Sequence, residues 1–223
     1  MGLLGHSEGG MLAAMVASRD PGVAFVIALA PPVAEPMEGL LLQERRMLET
    51  AGLPAPLVEE RVAMTREVLA LTLAQDWLPL ERLIRATVRE QLQALPEAQR
   101  AAFGDPDQAT ERLVAQTMTQ QRGWMHFFLT HDARGDWARL HAPALVLFGG
   151  RDVQVDLELH RDALSSLDRP NVEIVTVAGA NHLFQEADTG SVLEYAELAP
   201  ELTPEVLRSV SAWLAAQGVG GDR

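Results

Sequence analysis

The sequence predicts an α/β fold built on a parallel sheet and interrupted by an all-helical insertion, and three apolar runs carry that prediction. Val23 to Ala30 is unbroken hydrophobic chain closed by Pro31-Pro32, the pattern of a strand buried on both faces, as parallel sheets require. Ala144 to Phe148, ended by Gly149-Gly150, and Val172 to Val177, ended by Gly179, repeat it late in the chain. Helical stretches lie between and beyond these runs, so strand and helix alternate at both ends of the chain.

In order, the stub Leu3-Leu4 leads through Gly5-His6-Ser7-Glu8-Gly9 into a helix over Met11 to Ser18. From Met37 to about Leu129 no strand-like run occurs. Helices are expected over Leu40 to Thr50, Pro56 to Gln75, Leu78 to Leu95 and Asp107 to Leu129. Val58, Val62, Thr65, Leu69 and Leu73 recur at helical spacing, and five prolines punctuate the segment. Residues 36–140 are thus read as a helical insertion between sheet-forming segments 1–35 and 141–223. A helix around Leu157 to Leu167 separates the last two strands. A final helix from Pro204 to Gln217 should turn Val206, Leu207, Val210, Trp213 and Leu214 inward, with Thr203 and Pro204 as N-cap and first helical residue. Gly218 to Arg223 reads as a frayed tail.

Composition removes whole classes of function. The 223 residues, 48% hydrophobic and 22% charged, describe a soluble globular chain. A formal charge of −13 with no basic stripe repels a phosphate backbone, so no nucleic-acid partner is expected. Every basic side chain is Arg, which carries no functional weight. With no cysteine there is no thiolate nucleophile or thiolate metal site. No apolar run reaches the ~18 residues of a membrane span, and Met1 to Gly5 lacks a basic leader region. The expected location is therefore cytoplasmic, without a membrane partner.

Serine or carboxylate chemistry remains, and the chain offers the parts of the former. The G-x-S-x-G of Gly5 to Gly9 sits between a strand and a helix. Such a turn forces the serine into a strained backbone geometry where a side chain at either glycine would clash, and it lifts Ser7 at the carboxyl end of the sheet. A serine hydroxyl needs an imidazole to take its proton and a carboxylate to hold that imidazole. Asp152 follows the strand ending at Phe148, and His182 follows the strand ending at Val177. Both fall at strand ends, in the order Ser, Asp, His. Singly, each has a plainer reading: Ser7 a helix cap, Asp152 a turn former, His182 a loop residue. Asp156 is the rival acid. Glu8 offers its backbone N–H to an oxyanion, and His6 packs beside that site. His126, His131, His141 and His160 show no metal-ligand spacing.

The runs GLLGHSEGGMLAAMVASRD, VAFVIALAPP, FFLTHD ahead of ALVLFGGRDVQV, and ANHLFQEADTGSVLEYAEL with TPEVLRSVSAWL resemble the α/β-hydrolase superfamily. Within it they are most similar to bacterial serine esterases related to the prolyl-oligopeptidase and dienelactone-hydrolase groups. The resemblance implies the C-terminal half of an α/β-hydrolase sheet with a helical cap. It implies a carboxylic-ester hydrolase with Ser7 as nucleophile, His182 as base and Asp152 as acid, acting on a small-molecule ester through an acyl-enzyme, with no metal and no cofactor. His6, Leu183 and Phe184 would line the substrate site.

The resemblance also implies that the nucleophile strand is the fifth of eight. Some 120 residues at ~30 per βα unit are then expected upstream, among them the second oxyanion donor. The expectation is a chain lacking its N-terminal half, through gene truncation or a start assigned too far downstream, with impaired activity. Thioesterase and peptidase activity are rivals within the class. From another class comes a catalytically silent half-domain that pairs with a complementary chain or with itself through the open sheet edge.

Overall fold

The computed structural model describes residues 1–218; of the tail expected over 218–223, residues 219–223 lie outside the described part. The chain runs β1 (Gly2–His6), α1 (Glu8–Ala17), β2 (Phe25–Leu29), α2 (Pro36–Thr50), α3 (Ala55–Leu73), α4 (Trp77–Ala94), α5 (Glu97–Ala101), α6 (Pro106–Gln120), a π-helical turn (Gln121–Met125), α7 (His126–Thr130), α8 (Ala133–Arg139), β3 (Ala144–Gly149), α9 (Leu157–Ser165), β4 (Val172–Val177), a 3₁₀ turn (Val192–Glu194) and α10 (Pro204–Ala216). It divides into two compact units, residues 1–60 with 132–223, and residues 61–131. The division falls inside α3. The separating unit is narrower than the insertion expected from sequence, because α2 and α8 belong with the sheet.

In the sheet unit the four strands lie in the order β1-β2-β3-β4, all parallel. The register pairs Leu4 with Ile27, Ile27 with Leu145, and Leu145 with Glu173. β3 is buried throughout, which is why its sequence is an unbroken apolar run rather than an alternating one. Helices α1, α9 and α10 and the loops between them enclose a core that includes Val26, Ile27, Leu145, Leu147, Phe148, Trp137 and Trp213. Within β1 the apolar side chains are less well covered, and Leu4 is 64% exposed.

Two side-chain expectations fail on α10. Leu207 is exposed, while Val206 and Trp213 carry the buried stripe. Thr203 does occupy the N-cap with Pro204 at the first helical position, yet its hydroxyl makes no capping bond. The hydroxyl is buried instead, because Thr203 donates its backbone N–H to Phe184 O, 2.8 Å away, and is drawn into the sheet unit.

In the helical unit, Leu80, Ile84, Val114 and Met118 form a small core between α4 and α6, joined by Val68, Leu71, Trp77 and Val88. The stripe predicted on α3 holds at Val58, Val62 and Leu69 but ends at Thr72 rather than Leu73. Thr72 is buried because its hydroxyl satisfies itself locally, donating to Val68 O at 2.8 Å and meeting Gln121 Oε1 at 2.9 Å. The single long helix expected over Asp107 to Leu129 is broken by the π-helical turn, where one carbonyl skips a residue.

Candidate active site

The nucleophile turn is built by crowding. β1 ends at His6, and Ser7 is forced to φ 53° and ψ −122°, a positive φ that non-glycine residues rarely accept. Its N–H donates to Leu29 O at 2.7 Å, while its carbonyl accepts from Gly10 and Met11 in the first turn of α1. The chain can fold back so sharply because Gly5 has no side chain: a Cβ there would lie 2.1 Å from Gly9 O. The clash expected at Gly9 does not occur, since a Cβ there meets nothing within 4 Å. Ser7 stands at the N-cap of α1, but its side chain makes no capping bond. The plainer reading of this serine as a helix cap is thereby removed.

The acid and the base meet through a second close approach. Gly149 and Gly150 carry the chain out of β3 directly against the loop that leaves β4. A Cβ on Gly149 would sit 2.5 Å from Ala180 O and 2.8 Å from Asn181 O. Asp152 turns inward there, and its Oδ1 accepts from the N–H groups of Gln154 (2.8 Å) and Val155 (2.9 Å). Its Oδ2 remains for His182, whose Nδ1 lies 2.8 Å away. Both side chains are buried. A carboxylate with no proton to give must accept here, so Nδ1 carries the hydrogen and Nε2 is the basic nitrogen.

The histidine loop is held by groups that sequence reading passed over. Asn181, fully buried, accepts at Oδ1 from the N–H groups of Leu183 and Gln185, each at 3.0 Å, and donates from Nδ2 to Gln185 Oε1. Gln185 reaches on to Ala199 O at 3.2 Å. Gln154, next but one to the acid, donates to the Tyr195 hydroxyl at 3.0 Å. Burial raises the Tyr195 pKa against the hydrogen bond from Gln154. The one available signal was Asn181 itself, an Asx residue poised to bond backbone N–H groups two to four residues on.

The nucleophile turn touches this loop through His6. Its Nε2 donates to His182 O at 2.7 Å, and the two rings lie 4.7 Å apart. Burial is the main cause that lowers the His6 pKa, and the approach of the His182 charge adds to it.

Residues 2–194 match the alpha/beta hydrolase family model. This chain belongs to the alpha/beta hydrolase family. It is 27% identical over 216 residues to esterase EstD of Thermotoga maritima, a match that covers 95% of this chain and 42% of that protein. The chain therefore spans less than half the length of this curated relative. Among solved structures it is similar to a monoacylglycerol lipase from Paleococcus ferrophilus, at 18% identity and a TM-score of 0.47, covering 97% of this chain and 68% of that one. It is also similar to esterase RhEst1 from Rhodococcus sp. ECU1013, at 18% identity and a TM-score of 0.43, covering 97% and 65%.

Within this hydrolase sheet unit the other expected residues take varied places. Glu8 opens α1, so its N–H is free of the helix ladder and stands beside Ser7. Leu183 is 42% exposed, whereas Phe184 is 1% exposed and part of the sheet core. Phe184 also adopts φ 59°, so the residue after Leu183 supports the loop from beneath. Asp156 caps α9, accepting from Leu159 N at 3.0 Å, and its other oxygen lies 3.5 Å from Arg46. His160 is a buried acceptor, taking the N–H groups of Val33 (2.9 Å) and Ala34 (3.1 Å) on Nδ1. Among the described residues no cluster of three or more His, Cys, Asp or Glu could hold a metal ion. None of the described helices is long and apolar enough to cross a membrane.

Proposed function

We propose that this chain carries the nucleophile, base and acid of a serine hydrolase that cleaves carboxylic esters through an acyl-enzyme. The observation that supports this most directly is the buried 2.8 Å pair of His182 Nδ1 and Asp152 Oδ2, joined by His6 to the strained turn that carries Ser7. Such a pair leaves Nε2 to take the Ser7 proton as the hydroxyl attacks the ester carbonyl. The Glu8 N–H would stabilise the developing oxyanion. Protonated His182 would then return the proton to the leaving alcohol, and water would repeat the sequence to release the acid.

In this reading the substrate is a small-molecule ester. The branch is that of the bacterial esterases related to the prolyl-oligopeptidase and dienelactone-hydrolase groups. Thioester and amide cleavage use the same acyl-enzyme steps, and a panel of p-nitrophenyl esters, thioesters and peptides separates them. The decisive experiment compares release of p-nitrophenol from a short-chain ester by the chain and by Ser7→Ala. The wild-type chain should turn over and the variant should not; equal rates would remove the enzyme reading.

A second reading is favoured by the free edge of β1 in the described sheet, where Leu4 is exposed. There the chain is a silent half-sheet that pairs with a second copy along that edge. A monomer by sedimentation at all concentrations would discard it.

A further inference from the structure

We infer that His6 is the positioning residue of the base: its imidazole pins the main chain of His182 to the nucleophile turn, holding the two catalytic loops as one piece. The inference rests on the reading of Ser7, His182 and Asp152 as nucleophile, base and acid. It assigns a role to the residue beside the nucleophile, which the sequence suggested as packing beside the oxyanion site and lining the substrate site.

The geometry supplies the reason. His6 and His182 are 176 positions apart, and the 2.7 Å bond between them runs from the imidazole of one to the carbonyl of the other. A carbonyl can only accept, so His6 must present Nε2–H. The bond therefore fixes its tautomer as well as its rotamer. Phe184, with its ring 6.3 Å away and edge-on, packs against the His6 imidazole from the loop itself. His182 is then held at two atoms: its carbonyl goes to His6 and its Nδ1 to Asp152. Only Nε2 is left without an anchor, and that is the atom the reaction requires.

Charge argues the same way. A base that becomes an imidazolium cannot tolerate a second cation with its ring centre 4.7 Å away. Burial shifts His6 toward its neutral form, against the hydrogen bond to the His182 carbonyl, and a neutral imidazole holds the loop without opposing the protonation of His182. An Arg or Lys could supply the same donor but would carry the charge.

The test uses the full chain, with Ser7→Ala as the unreactive control. A fluorophosphonate probe reports nucleophilicity, because Ser7 Oγ forms a P–O bond, fluoride leaves, and the proton passes to His182. His6→Phe keeps the ring packing but removes the donor; His6→Gln restores an N–H near the position of Nε2. Ser7 labelling in His6→Phe should slow by about 10²-fold, the cost of a misplaced catalytic group, and His6→Gln should recover most of it. Proton NMR of the His182 Nδ1–H gives a readout that needs no reactivity. The signal should be sharp in the wild type and His6→Gln, and broadened or lost in His6→Phe. Wild-type labelling together with an unchanged NMR signal in His6→Phe would overturn the inference, and so would failure of His6→Gln to restore either readout. If wild-type Ser7 is not labelled while the NMR pattern holds, the triad reading falls and the clamp on His182 stands.

Discussion

At the scale of single residues, Asp152 and His160 show how position decides what an ionisable group does. Asp152 has one oxygen committed to two backbone N–H groups and the other to His182. In Asp152→Asn the carbonyl oxygen should stay with the N–H pair and turn an NH₂ toward Nδ1. That would force the wrong imidazole tautomer and lower the acylation rate by about 10⁴-fold, read as the burst of p-nitrophenol. His160 accepts two backbone N–H groups at Nδ1 and is buried, and this burial lowers its pKa to about 4 despite the opposing charges of Asp156 and Asp152. The unfolded chain binds that proton near pH 6.5, before the folded one does. Stability from neutral His160 is therefore complete above pH 6.5 and drains away as pH falls toward 4. The full shift corresponds to about 3 kcal/mol. Urea unfolding from pH 7 to pH 4 should show this slope, and His160→Gln, which can still accept, should flatten it. Asp152 was legible from its place after the β3 strand, whereas the environment of His160 was not, because the N–H groups it accepts belong to Val33 and Ala34, 127 and 126 positions away.

At the scale of elements, the strand-to-helix turn and the loop after β3 work by letting backbones touch. Gly5→Ala places a methyl group 2.1 Å from Gly9 O, a collision with main chain that no rotamer relieves. It should cost about 3 kcal/mol, or about 10 °C of melting temperature for a chain of this size. Gly9→Ala should melt like the wild type. Gly149→Ala should act differently: its methyl meets the carbonyls of Ala180 and Asn181, so it should push His182 off Asp152 and slow Ser7 labelling more than it lowers the melting point. The elements themselves were largely readable. The apolar runs mark β2, β3 and β4 to within two residues at either end; β2 and β3 are mostly buried and carry no polar position to blur them, while β4 is read through Glu173 and Thr176 by its β-branched residues and the glycine that ends it. The short helix α8 escaped notice: seven residues with two arginines and two aspartates within or next to it show no period. It is held by Trp137, buried in the sheet core, and by Asp136, which bonds Ser18 and Arg139.

At the scale of the whole molecule, β1 stands at one edge of the four-stranded sheet that the described residues form, paired to β2 through backbone bonds. An apolar strand with a free ladder attracts another strand. In the second reading proposed above, in which the chain pairs with a copy along this edge, Leu4→Lys should shift it toward monomer in sedimentation velocity; association that survives this change would locate the contact elsewhere. Sequence by itself determined the parallel strands and the strand ends after which Ser7, Asp152 and His182 fall, because periodicity and turn chemistry are local properties of the chain. Tertiary structure alone decided that Asp156 turns away to cap α9, that Gly5 rather than Gly9 makes room for the turn, and that His6 reaches across 176 positions to the base. Those outcomes depend on distances between segments remote in sequence, and such distances exist only once the backbone has packed.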